Sequence, residues 1–114
     1  MPDNEYRINI AKSFTISPGG RKKADGDHSG EEFRDDFLLP IVRKAMAEKK
    51  TVTVELDGTI GYGSSFLEEA FGGLERVLKK EGNTAIGIIK LESARRPHLI
   101  PIIEEMMKHA NPKD

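Results

Sequence analysis

Two adjacent serines, Ser64 and Ser65, stand where a glycine-rich turn gives way to a helical pattern. A hydroxyl at a helix start can cap the helix by accepting a backbone N–H, or it can accept a phosphoryl group. Glu68 favours the cap, because a glutamate three residues after Ser65 is typical of a capping box. A phosphate would meet free N–H groups and the positive end of the helix dipole, although acidic residues of the first turn would repel it. Both interpretations place Tyr62, Gly63 and the two serines at a helix start.

The glycine-rich turn at residues 58–63 is a second candidate for chemistry, as a phosphate cradle. It supplies G-x-G between a predicted strand and a predicted helix. The third glycine of a dinucleotide-binding motif is missing, and no lysine follows in the register of a P-loop. Glycines that must adopt positive φ angles explain the turn more simply.

Residues 18–30 form a long polar segment that is predicted to be a mobile loop. Gly19, Gly20 and Arg21 could gather an anion there, with glycine amides and a guanidinium converging on a phosphate. The two aspartates that follow offset part of the positive charge. Two interpretations therefore stay open, a solvated loop and a contact surface for a partner or a nucleotide.

No arrangement of nucleophile and base emerges elsewhere in the sequence. The three histidines are scattered without metal-ligand spacing, and G-S-S-F around the serines differs from the G-x-S-x-G of a nucleophile elbow. The chain has no cysteine, which excludes disulfides and thiolate zinc sites. We therefore expect a non-enzymatic protein without metal or cofactor.

The net charge and the length of the chain limit the classes of partner that it could bind. The 114 residues include 18 Lys and Arg against 19 Asp and Glu, a net charge of −1. This balance gives no broad positive surface for nucleic acid or anionic membrane. The apolar runs are too short for a transmembrane helix. We expect one domain over residues 1–114, cytoplasmic, with a protein partner rather than nucleic acid or membrane.

Hydrophobic periodicity predicts the elements that position these residues. Strands are expected at about 6–16 (bent, or folded as a hairpin), 51–57 and 84–91, the last one central because it is apolar on both faces. Helices are expected at about 31–49, from Ser64 or Ser65 to about 80, and from Pro97 or Pro101 onward. The alternation predicts an α/β domain, a mixed and mostly parallel sheet with about three packed helices.

One proline and two glycines inside helical patterns need an explanation. Pro40 should kink the helix that contains it or split it in two. Gly72 and Gly73 each cost about 1 kcal/mol relative to alanine. Close approach of that helix to the sheet would explain the glycines, and so would close approach of a ligand or of a second copy in a homodimer.

Two blocks of the sequence resemble a known family. The first is V-E-L-D-G-T-I-G-Y-G-S-S-F-L-E-E-A-F-G-G-L-E-R-V-L at residues 54–78. The second begins with P-G-G-R at 18–21 and continues with S-G-E-E-F-R and L-L-P within 29–40. Both are similar to the STAS-like family of unknown function, small bacterial and archaeal domains related to STAS domains (sulfate transporter and anti-sigma factor antagonist). The resemblance implies a STAS-like fold.

The resemblance also implies regulation by serine phosphorylation, which would act as a switch. Anti-sigma factor antagonists of the wider STAS group carry a strand, a D-S-S-G-like turn and a helix whose first serine is phosphorylated by a histidine-kinase-like ATPase. This pattern implies Ser65 as the acceptor, preceded by Ser64. Here Gly63 stands at the acidic position of the turn and Phe66 at the position of the glycine.

The expected function is a regulatory module that binds a protein partner, controlled by serine phosphorylation. The alternative is a small nucleotide- or phosphate-binding domain. It would use the 58–65 glycine turn and the 18–23 basic loop, with Arg21 or Arg34 holding the anion.

Overall fold

The computed structural model, which describes residues 4–112, is built on a three-stranded parallel sheet. The strands lie in the order of the sequence: β1 (Glu5–Asn9), β2 (Thr51–Glu55) and β3 (Ile89–Glu92). Central β2 pairs with both neighbours, so that Val52 lies opposite Tyr6 on one side and Ile89 on the other. Residues 1–3 and 113–114 of the predicted domain lie outside the described residues.

Helical segments connect and follow the strands. In chain order the α-helices are α1 (Ile10–Ser13), α2 (Gly30–Phe33), α3 (Leu39–Glu48), α4 (Ser64–Leu67), α5 (Gly73–Lys80) and α6 (Leu99–Lys108), and a short 3-10 helix, Lys23–Asp25, lies between α1 and α2. Two π-helical turns, Arg34–Leu38 and Glu68–Gly72, join α2 to α3 and α4 to α5 without a break. The α/β prediction is confirmed. Within residues 4–112, no helix has the length and apolar character needed to cross a membrane.

The core lies between the helices and one face of the sheet. Val52, Val54 and Leu56 present this face, and α3 packs against β1 and β2. The helices add side chains that recur at helical spacing and are fully buried: Phe33, Leu38, Val42, Phe66, Phe71, Leu74, Leu78 and Ile103. Burial of these apolar faces is the main force that holds the long helices on the sheet.

The other face of the sheet carries a group of charged side chains around Arg7. The Arg7 guanidinium donates to Glu5 at 2.9 Å, to Glu55 at 3.0 Å and to Glu92 at 2.5 Å. Beneath them, the Thr53 hydroxyl donates to Glu5 at 2.7 Å. We call Arg7, Glu5, Glu55 and Glu92 the Arg7 network.

The first strand is shorter than predicted. β1 ends at Asn9, whose side chain accepts the Lys12 N–H at 3.0 Å and caps α1. Because residues 10–13 are helical, neither a bent strand to residue 16 nor a hairpin forms. Ile10 extends the apolar pattern of the strand in the sequence because it is apolar, and it is fully buried. It is buried as the first residue of α1, however, and not as part of β1.

The predicted central position of the third strand is also wrong. β3 begins at Ile89 and lies at an edge, and Gly87 has a φ of +92° in the turn before it. The buried carboxylate of Glu75 holds this turn, accepting the Ala85 N–H and the Thr84 hydroxyl, both at 2.5 Å. The apolar residues of this segment therefore serve a turn and an edge strand.

Pro40 neither splits nor ends its helix. The preceding π-helical turn widens the helix, where the Leu39 N–H donates to the Arg34 carbonyl, and Pro40 then falls at the start of α3. A proline removes one helix N–H and crowds the preceding turn, and the wider π-helical turn immediately before Pro40 accommodates both effects. The last helix starts at Leu99, between the two predicted prolines.

Candidate functional site

The start of α4 presents both serine hydroxyls to solvent. Gly63 occupies the N-cap position in an extended conformation and the helix begins at Ser64. The Leu67 N–H donates to the Gly63 carbonyl at 3.2 Å, the first hydrogen bond of the helix. Ser64 and Ser65 are exposed, and neither hydroxyl bonds to any of the described residues. The predicted capping box is therefore wrong, because Ser65 lies inside the helix rather than at its cap.

Two aromatic residues anchor this helix start on either side of the serines. The half-buried Tyr62 donates its hydroxyl to the Leu56 carbonyl at 2.7 Å, and burial raises the pKa of that hydroxyl. Phe66 is fully buried with its ring centroid 6.0 Å from that of Tyr62. Gly63 and the serines are thus held on a fixed support while remaining exposed.

The predicted anion loop folds back on its own end. The Gly19 N–H donates to the His28 carbonyl at 2.8 Å, and the Gly20 carbonyl accepts the Gly30 N–H at 2.9 Å. A Cβ at Gly19 would lie 2.4 Å from the Asp27 carbonyl oxygen, so the return requires glycine there. The Gly19 amide is thus already engaged within the loop.

Arg21 links this loop to the helix that carries the serines. Its guanidinium lies 2.6 Å from the Glu68 carboxylate and 3.3 Å from that of Glu69. Glu68 follows Ser64 and Ser65 by about one helical turn. The structure therefore links Arg21 to the helix that carries the two serines through Glu68, while Gly19 and Gly20 bond back to the loop's own end.

Two further arginines complete a charged cluster with the same carboxylates. Arg76 donates to Glu68 at 2.6 and 3.1 Å, and Arg34 donates to Glu69. The hydrogen bonds from Arg76 and Arg21 lower the pKa of Glu68 to about 2. Burial opposes ionisation of Glu69, but Arg34 and the charge of Lys22 lower its pKa as well. Both carboxylates are therefore ionised at neutral pH, and the positive charges of their arginine partners offset their repulsion of a phosphate at the helix start.

A cavity of about 530 Å³ opens beside this cluster. Its lining combines the loop, the turn after α2 and the α4–α5 helix: Arg21, Lys22, Arg34, Glu68, Glu69, Gly73, Arg76, Val77 and Lys80. Sequence reasoning named Arg21 and Arg34 but missed Arg76, Lys80 and the role of the glutamates. Glu69, Gly73, Arg76 and Lys80 recur at helical spacing on one face, a signal that the sequence did carry.

The comparisons with known proteins agree with this architecture. The family described as STAS-like domain of unknown function (DUF4325) matches residues 29–95, more than half of the chain. The chain belongs to this family. No curated protein and no solved structure matches this STAS-like domain significantly. The match includes the strand, turn and helix around the serines, whereas the P-G-G-R block precedes it.

The glycine pair of the STAS-like domain makes room for charged side chains. A Cβ at Gly73 would lie 2.6 Å from Nη1 of Arg34, and a Cβ at Gly72 would lie 2.5 Å from Oε2 of Glu68. The atoms nearest both glycines are thus side-chain atoms of the cluster rather than the sheet. The predicted close approach to the sheet is wrong.

The glycine turn contributes to the helix start but does not line the cavity. Gly58 alone among its three glycines has a positive φ, +105°, whereas added Cβ atoms at Gly61 and Gly63 would meet open space. The predicted positive φ angles are therefore confirmed for Gly58 and wrong for the other two. Within residues 4–112, no three His, Asp or Glu side chains lie close enough to share a metal ion.

Proposed function

We propose that this STAS-like domain is a non-enzymatic regulatory module that binds a protein partner through the start of α4. A histidine-kinase-like ATPase would phosphorylate Ser65 or Ser64 and thereby change this surface. The observation that carries the proposal is the exposure of two hydroxyls at a helix start whose neighbours are firmly anchored.

The local electrostatics support a phosphate at this position. A phosphoryl group adds a charge of about −1.5 to −2 and is stabilised by the free N–H groups of a helix start. The nearby carboxylates of Glu68 and Glu69 are neutralised by arginines, so that the repulsion expected from the sequence is reduced.

Phosphorylation is tested with purified protein, ATP and each histidine-kinase-like ATPase encoded near its gene. Peptide mass spectrometry is expected to find one phosphate, lost in Ser65→Ala or Ser64→Ala. Ser13→Ala changes an exposed serine on α1 and is the matched control, which should keep the phosphate. If no such ATPase modifies either serine, the switch is ruled out.

Partner binding is tested separately from phosphorylation. Ser65→Arg places a bulky charge in the proposed contact surface and is expected to weaken binding of the ATPase at least ten-fold in a biosensor assay. Ser13→Arg carries the same change on α1 and should bind normally. Equal binding by the two variants would contradict the proposed surface.

A further inference from the structure

The cavity beside α5 has an excess of positive charge. Five cationic side chains and two carboxylates line it, which gives a net charge of +3. The chain as a whole carries −1, so this surface is opposite in sign to the rest of the protein. A concave surface with one sign of charge concentrates ions of the opposite sign.

The ion pairs inside the cavity leave donors unused. Arg21 contacts the glutamates through Nη1 only, although a guanidinium has five N–H donors. Lys80 forms no ion pair with any residue that the structure describes. The two glutamates and Asp35, which accepts the Arg34 Nε–H at 2.8 Å, hold the arginines in place, but three carboxylates do not neutralise five cations.

The cavity is built at the expense of helix stability. Gly73 allows the Arg34 guanidinium to lie against the α4–α5 helix, and interior glycines weaken a helix. The side chains of Arg34 and Arg76 are only 11 % and 15 % exposed. Such burial of like charges opposes folding, and buried ion pairs are weak evidence for stability by themselves. An anion that enters the cavity would offset the repulsion.

The lining also restricts the kind of anion. Among the described residues that line the cavity, Val77 alone is apolar and none is aromatic, so none of them can stack on a base. Arginine forks match the geometry of phosphate oxygens and bind them bidentately. We propose that the cavity formed by Arg21, Lys22, Arg34, Arg76 and Lys80 binds a compact phosphoryl anion with several charges. This assignment is independent of serine phosphorylation.

Isothermal titration with sodium pyrophosphate at matched ionic strength tests the assignment. The unmodified protein is expected to bind one pyrophosphate saturably. Lys80→Gln, a neutral substitution at an exposed position, should weaken binding at least ten-fold. Lys12→Gln removes an equal charge outside the cavity and should leave the affinity unchanged.

A substitution that increases the positive charge of the cavity distinguishes a loss of anion binding from a folding defect. Val77→Lys adds a positive charge to the lining while Glu68 and Glu69 keep their arginine partners, and it is expected to tighten pyrophosphate binding, whereas a general loss of structure would weaken it. The assignment is overturned by an absence of saturable binding, or by an equal effect of Lys80→Gln and Lys12→Gln. Binding of ATP without binding of pyrophosphate would also overturn it, because recognition would then require the base.

Discussion

The STAS-like domain contains two arginine–glutamate clusters that differ in exposure and in the ratio of arginines to glutamates. In the Arg7 network, one arginine serves three glutamates on the open face of the sheet, and the Arg7 side chain is 42 % exposed. In the cavity, three arginines share Glu68 and Glu69, and the Glu69 side chain is 6 % exposed. Similar ion pairs therefore have different surroundings. The exposed cluster is typical of a solvated face, while the half-buried one lines the cavity that we propose as an anion site.

Burial predicts which cluster matters more for stability. Glu69→Gln leaves the Arg34 charge without its buried partner, and we expect a loss of about 3 kcal/mol in the free energy of unfolding. Glu92→Gln in the Arg7 network should lose less than about 1 kcal/mol, since exposed pairs contribute little. Urea unfolding of both variants checks the difference. Equal losses would mean that the two clusters are energetically alike.

Acid should weaken the cavity cluster more than the Arg7 network. The pKa of Glu68 is about 2 in the folded protein, below its ordinary value of 4.5. A depressed pKa contributes stability above pH 4.5 that is lost as pH falls towards 2. Glu68→Gln is therefore expected to reduce this acid dependence of unfolding. Glu55→Gln is the control: Asn9 and Arg7 lower the pKa of Glu55 too, but its pair with Arg7 is more exposed.

The control would contradict the comparison if Glu55→Gln reduced the acid dependence as much as Glu68→Gln. Thermal unfolding of both variants and of the unmodified protein between pH 2 and pH 6 gives the three curves of stability against pH that the comparison needs. A difference of 1.4 kcal/mol between curves corresponds to roughly a tenfold change in the folding constant.

Substitution of Gly73 is expected to change the free energy of unfolding least among the three predictions. Gly73→Ala should gain about 1 kcal/mol of helix stability and lose a similar amount by displacing Arg34. In an Arg34→Ala background the displaced atom is gone, and Gly73→Ala is expected to stabilise by about 1 kcal/mol. A double-mutant cycle measured by chemical denaturation gives the coupling. A coupling energy near zero between Gly73→Ala and Arg34→Ala would show that Gly73 is not needed to make room for the Arg34 guanidinium.

Much of the fold could be predicted because it depends on local periodicity. The apolar spacing of Phe66, Leu74 and Leu78 identifies a buried helix face without knowledge of what covers it. The errors arose where a single side chain overrides the pattern. Asn9 caps a helix that the alternation would continue as a strand, and Glu75 holds residues 84 and 85 in a turn.

The site was less predictable because its parts come from distant segments. Arg21 and Glu68 lie 47 residues apart, and Arg34 and Glu69 lie 35 apart. Hydrophobic periodicity carries no information on which charged residues meet. Gly72 and Gly73 were the nearest signal, since an interior glycine pair indicates close approach without identifying the neighbour.

The parallel order of the strands has a consequence for synthesis on the ribosome. Asn9 of β1 pairs with Glu55 of β2, 46 residues later. At roughly 5–20 residues per second, the first strand waits about 2–9 s for its partner to be translated. Throughout this interval the backbone of β1 is unpaired, and an unpaired strand can add to a foreign sheet. Nascent chains of this domain are therefore vulnerable to mispairing before β2 emerges.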